Sequence, residues 1–163
     1  MKRLILCVVF PVLALMQACT MTEDLHLTDR AEISQQVSRY AQLWDRKDAD
    51  TFATLFAEDG VMEWRFAGTP DDRPVVAGWA EIQRYAKHAF ETRLAGKQSR
   101  HHFTGLVFED LSGTDAVTEH NLLVTHTIAT ERPSLVSSGV YRITWRKTEE
   151  GWLISHRTLF VDR

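Results

Sequence analysis

Apolar residues return at helical spacing through Ile33, Val37, Tyr40, Ala41 and Trp44, which predicts an amphipathic helix along one stripe. Asp29 and Glu32 have capping-box spacing, so its start is expected near Asp29. Asp48 suits the cap of a short second helix that turns Phe52, Leu55 and Phe56 inward. Glu58-Asp59-Gly60 reads as a turn before a strand over Val61–Phe66, and Gly68–Arg73 as a polar loop. A short strand over Val75–Gly78 leads to a third helix over Trp79–Leu94, with Ile82, Tyr85, Ala86, Ala89 and Phe90 as its stripe.

The rest of the chain is β-rich. Two runs within Arg100–Thr130 flank Ser112-Gly113-Thr114-Asp115, residue types that hairpin loops use. Further strands are expected over Leu135–Lys147 and Gly151–Val161, joined at Thr148–Gly151. Counting by two places His102, Thr104, Leu106 and Phe108 on one face of the first run, and His120, Leu122, Val124 and His126 on one face of the second. The same count groups Gly139, Tyr141, Ile143 and Trp145, then Trp152, Ile154, His156, Thr158 and Phe160. It turns His101 away, to the surface. Helices followed by a strand meander predict an α+β domain with a mainly antiparallel sheet.

Composition narrows the function classes. The 163 residues are 44% hydrophobic, enough for one domain with a core, and the net charge of -3 gives no support for a nucleic-acid partner. Met1-Lys2-Arg3 precedes an apolar run from Leu4 to Met16, and Gln17-Ala18-Cys19 follows, the order of a secretory leader. Leu15-Met16-Gln17-Ala18-Cys19 resembles the lipobox of bacterial lipoproteins, which implies cleavage before Cys19 and its lipidation. A leader over 1–18 and a tether over 19–27 are then expected, with the product held at the cell envelope by its lipid, facing the periplasm. The alternative is soluble release into the periplasm.

With Cys7 in the leader and Cys19 lipidated, the domain keeps no thiol. There is no His-Glu-x-x-His helix, Gly-x-Ser-x-Gly turn or phosphate-cradling glycine loop, so no metal or cofactor is expected. Histidine exchanges protons near neutrality, and His102 and His126 fall on largely apolar faces. They are candidates for acid–base work or for satisfied core positions. Asp45 ends the first helix against the negative end of its dipole, either a solvated acid beside Arg46 and Lys47 or one held for a purpose.

Ser38-Arg39-Tyr40-Ala41-Gln42-Leu43-Trp44-Asp45-Arg46-Lys47-Asp48, Leu55-Phe56-Ala57-Glu58-Asp59-Gly60-Val61, Gly78-Trp79-Ala80-Glu81-Ile82 and Gly151-Trp152-Leu153-Ile154-Ser155 resemble the SnoaL-like branch of the nuclear transport factor 2-like superfamily. The resemblance covers 28–163 and implies a cone-shaped α+β barrel, a curved sheet wrapped around N-terminal helices over an apolar pocket. Within it, His101-His102-Phe103 and Trp44-Asp45-Arg46-Lys47-Asp48 are similar to scytalone dehydratase segments. That likeness implies His102 as base, Asp45 as its orienting carboxylate and His126 as second pocket histidine, and the bile-acid dehydratases add Tyr40. Trp44 and Trp64 stand where scytalone dehydratase has tyrosines, and Tyr141 where it has asparagine, which argues against the same substrate.

The expected function is a cofactor-independent dehydratase or isomerase acting on a small apolar, cyclic carbonyl compound. Trp44, Trp64, Phe103 and Tyr141 would form its substrate pocket. The alternative is a non-catalytic ligand-binding or assembly lipoprotein with the same pocket. A homodimer is common among such proteins.

Overall fold

Helix α1 runs from Val9 to Asp45 in the computed structural model, which describes residues 9–66, 68 and 75–162, with side chains from residue 26 onward. It begins upstream of the start expected at Asp29, whose carboxylate is engaged elsewhere. Asp29 is buried and accepts hydrogen bonds from Lys147 Nζ at 2.6 Å and Trp152 Nε1 at 2.9 Å, which ties the helix to the sheet. The helix also continues through the segment expected as a tether. Residues 1–8 of the expected leader and the side chain of Cys19 lie outside what is described.

Ile33, Val37, Tyr40, Leu43 and Trp44 form the buried stripe of α1. Lys47 ends the helix in the left-handed region, at φ 60, and Asp48 N–H closes back on the Leu43 carbonyl at 3.0 Å. That six-to-one bond satisfies a carbonyl the helix end would leave bare. Asp48 then caps α2 (Ala49–Ala53), accepting from Thr51 N–H at 3.0 Å.

The sheet has strands β1 (Phe56–Phe66), β2 (Val76–Ala77), β3 (Lys97–Leu111), β4 (Asp115–Ile128), β5 (Ser134–Thr148) and β6 (Gly151–Val161), with α3 (Trp79–Glu91) between β2 and β3. Their order is β2-β1-β6-β5-β4-β3, antiparallel except for the parallel β1–β6 pair. The helices gather over one face, giving the α+β cone that the sequence implies. Ile33, Phe52 and Ile82 from the helices meet Met62, Leu122, Ile143 and Ile154 from the sheet, all at 2% exposure or less. Each such burial stabilises by at most about 1.5–3 kcal/mol.

Three of the sheet's five register shifts bear most on which side chains reach its inside. Glu58-Asp59-Gly60 is no free turn but lies within β1, where the register against β6 shifts between Phe56 and Val61. A Cβ at Gly60 would sit 2.9 Å from the carbonyl oxygens of Ala57 and Ile154, so only glycine fits. Gly105, at φ 67, lies in a bulge of β3 where the register against β4 shifts between Thr104 and Val107. Ser155 is the extra residue of β6 where Thr144 pairs with His156 and Trp145 with Ile154, and its Oγ donates to the Thr144 carbonyl at 3.1 Å. An extra residue exchanges the two faces of every position beyond it.

Candidate functional site

Gly105 reverses the expectation for the paired histidines. Leu106 and Phe108 face inward as counted, but on the other side of the bulge the inward set is Ser99, His101 and Phe103. His102 pairs across the ladder with the exposed Leu123 and lies outside, its Nε2 3.2 Å from Thr125 Oγ1. His101 pairs with the buried Val124 and points in. The inward histidine is therefore His101, and the expected Asp45–His102 contact does not form.

The Asp45 carboxylate takes part in three hydrogen bonds within one small cluster, two with His101 and one with Ser99. His101 Nδ1 lies 2.7 Å from Oδ1, the His101 backbone N–H donates to Oδ2 at 2.8 Å, and Ser99 Oγ donates to Oδ1 at 2.9 Å. Both side chains are 8% exposed. Burial alone would raise the Asp45 pKa, yet the bonds from His101 and Ser99 outweigh it and hold it below the usual carboxylate value. An ionised carboxylate only accepts, so Nδ1 carries a hydrogen, and in the neutral imidazole Nε2 is then the nitrogen with the free lone pair. Gln98 Nε2 donates to the Asp45 carbonyl at 2.9 Å and secures the helix end where the pair forms.

His101 lines a cavity of about 280 Å³ between α1, α3 and the inner sheet face. Tyr40, Trp44, Trp64, His126 and Tyr141 line it too, so these five expected site residues converge there. Phe103 does not. It stands behind the wall, 4.5 Å from the His120 ring and 5.6 Å from that of Tyr141.

Burial together with the nearby Lys97, His101 and Arg93 holds the His126 pKa below its ordinary value, against a smaller pull from Asp45. Burial raises the Tyr141 pKa well above 10.0, and the adjoining Tyr40 adds to the shift. Tyr141 is therefore a neutral donor at physiological pH. Arg157, 1% exposed, also lines the cavity. Counting by two from Trp152 and Ile154 predicts His156 in that place, but Ser155 turns His156 half outward and brings Arg157, Leu159 and Val161 in. Among the described residues no three His, Cys, Asp or Glu side chains group as a metal site.

The profile of the SnoaL-like domain family matches residues 25–158. The chain belongs to the SnoaL-like domain family. No curated protein matches this SnoaL-like chain. Among solved structures it is similar to a Mycobacterium tuberculosis protein of unknown function, at 25% identity and TM-score 0.73, covering 86% of this chain and 75% of that one. It also resembles a Novosphingobium aromaticivorans NTF2-like protein with a cystatin-like fold, at 20% identity and TM-score 0.69, over 96% of this chain and 91% of the other. A second protein from that organism, provisionally assigned as a scytalone dehydratase, superposes at TM-score 0.71 with 20% identity, over 85% and 87%. These likenesses establish the shared fold of the SnoaL-like domain. Its chemistry has to come from its own site.

Sequence reasoning missed His101, Ser99 and Arg157, and the reason is common to all three. Each lies across a bulge from the residues used to assign its face. Gly105 within a strand pattern is the one signal available, since an isolated glycine there marks a bulge. Ser155 gives no such mark.

Proposed function

We propose that this protein is a cofactor-independent lyase or isomerase in which His101 is the general base and Asp45 its positioning carboxylate. The observation that carries the reading is the 2.7 Å bond from His101 Nδ1 to Asp45 on the wall of a cavity that aromatic and aliphatic side chains share with a few polar ones. That bond fixes the tautomer, so Nε2 is the atom available to a bound molecule. His101 Nε2 takes a proton from the carbon next to a carbonyl, and the C–H electron pair moves toward the carbonyl oxygen. Tyr40, Tyr141 or neutral His126 donates a hydrogen bond to the oxygen as it becomes negative. In isomerisation the proton returns to a different carbon. In dehydration the electron pair forms the new C=C bond, the β C–O bond breaks, and a proton from Tyr40 lets the hydroxyl leave as water.

A positioned base contributes ~10²–10⁴-fold. The reading is tested with 2-tetralone, a cyclic ketone with an acidic C–H, by following uptake of solvent deuterium in proton NMR. The parent protein should speed exchange and His101→Gln should lose the acceleration. Exchange no faster with the parent than in buffer would leave a binding protein with an idle pair.

The same proposal includes export, with Cys19 as a lipidated terminus that anchors the domain at the bacterial envelope facing the periplasm. It is supported by Met1-Lys2-Arg3, the apolar Leu4–Met16 run and Ala18 before the cysteine. Labelled fatty acid should enter the parent protein and not Cys19→Ala, which should leave the membrane fraction.

A further inference from the structure

Arg157 is a buried cation with no counter-charge among the described residues. Its Nη1 donates to the Glu63 carbonyl at 2.8 Å, and among the described residues its Nε has no partner. The carboxylate of Glu63 is taken up by His156, Arg65 and Thr158. Among the described residues no carboxylate forms an ion pair with Arg157. The guanidinium lies 4.4 Å from the Trp64 ring centroid and 5.2 Å from that of Tyr141, so two aromatic faces hold its position. A guanidinium removed from water without an anion is costly, and its fixed fork of donors matches the two oxygens of a carboxylate.

Its position also constrains the ligand's shape. β6 and β3 are separated by two strands in the sheet order, roughly 14 Å along the sheet at the usual strand spacing, and the curvature turns both side chains into the same hollow. A molecule touching both has its anionic group at one end and its reacting C–H at the other. The walls between, Trp44, Trp64 and Tyr141, are flat and aromatic.

We infer that the cavity takes a planar, ring-bearing carboxylate whose carboxylate group docks on Arg157. This names the substrate class of the site described above and rests on that reading for the reacting end alone. Its test measures binding without turnover, so either idea can fail alone.

The probes are 2-naphthoate and 2-naphthamide, matched in shape and different in charge, titrated by calorimetry near neutral pH. The parent should bind the naphthoate at least about tenfold tighter, the scale of a charge-assisted hydrogen bond. Arg157→Met, with an apolar stem between the same two rings, should bring the ratio to one. Arg93→Gln, which removes the exposed pocket-edge cation, and His101→Gln should both keep it. Should Arg157→Met not fold, Arg157→Lys decides, because a point charge lacks the forked contact and its ratio should fall below the parent's. Equal affinities in the parent, binding of neither probe, a preference surviving in Arg157→Met, or an undiminished ratio in Arg157→Lys each overturn the inference. So does a preference lost with Arg93→Gln.

Discussion

His101 and His102 are consecutive in β3 and face opposite ways: the first is hydrogen-bonded to Asp45 at 2.7 Å inside the cone, the second lies 3.2 Å from Thr125 on its outer surface. Two imidazoles one peptide apart therefore occupy entirely different environments.

This difference gives the most direct prediction. His101→Gln should lower deuterium exchange into 2-tetralone by ~10²–10⁴-fold, while His102→Gln should stay within about twofold of the parent. Asp45→Asn should fall with His101→Gln, because an amide presents N–H where Asp45 now accepts. A large loss at His102 and none at His101 would exchange their roles.

How far the sequence could be read follows from the same strand. Period-3.6 stripes located α1 and α3, and the Asp48 cap α2, because no inserted residue shifts their inward faces, and Ile33, Val37, Tyr40, Phe52 and Ile82 are buried as their spacing predicts. The long strands were legible as strands, and β4 and β5 kept their expected inner faces through His120, Leu122, Val124, Tyr141 and Ile143. In β3 and β6, however, each site residue lies beyond an inserted residue. Alternation is a local rule, and one extra residue inverts it without altering the hydrophobic pattern much. The resemblance to scytalone dehydratase transferred Asp45 to the site. It pointed to His102, whereas the histidine that Asp45 meets is His101.

His120 should dominate the response to mild acid. It is 2% exposed, packed against Phe103 and Tyr141, and neither ring nitrogen has a partner among the described residues, so burial lowers its pKa to about 4. A folded value below the unfolded 6.5 means the stability is whole above pH 6.5 and drains as the pH falls toward 4. The loss amounts to about 3 kcal/mol. Urea midpoints across that window should fall in the parent and remain flatter in His120→Phe, which suits the aromatic surroundings and carries no proton. Equal slopes would mean His120 finds a partner in solution.

At lower pH the carboxylates take over. Asp45 and Asp29 are both held below the ordinary value by their hydrogen bonds, against the opposing effect of burial. Their contribution is complete above the unfolded pKa of ~3.9 and is lost as the pH falls through their lower folded values. Asp29→Asn should therefore melt lower than the parent at neutrality, with the gap closing in strong acid. A gap independent of pH would exclude ionisation of Asp29 as its source.

Gly105 is expected to tolerate no side chain cheaply. At φ 67 any other residue is strained, and a Cβ there would approach Asn121 Nδ2 to 3.3 Å. Gly105→Val should destabilise by ~1–3 kcal/mol in urea unfolding. Amide exchange should quicken at Ser99 and His101, whose inward set depends on the bulge. Unchanged protection there would uncouple the bulge from the pair.

The distribution of tryptophans has a practical consequence. Of the five, Trp44 and Trp64 line the hollow, Trp145 and Trp152 are sealed at 0% exposure, and Trp79 looks into solvent at 45%. The molecule thus carries its own optical gauge. A guest in the hollow dims two emitters, a dissolved quencher reaches a third, and the remaining pair supplies an internal reference, so occupancy can be read without a label.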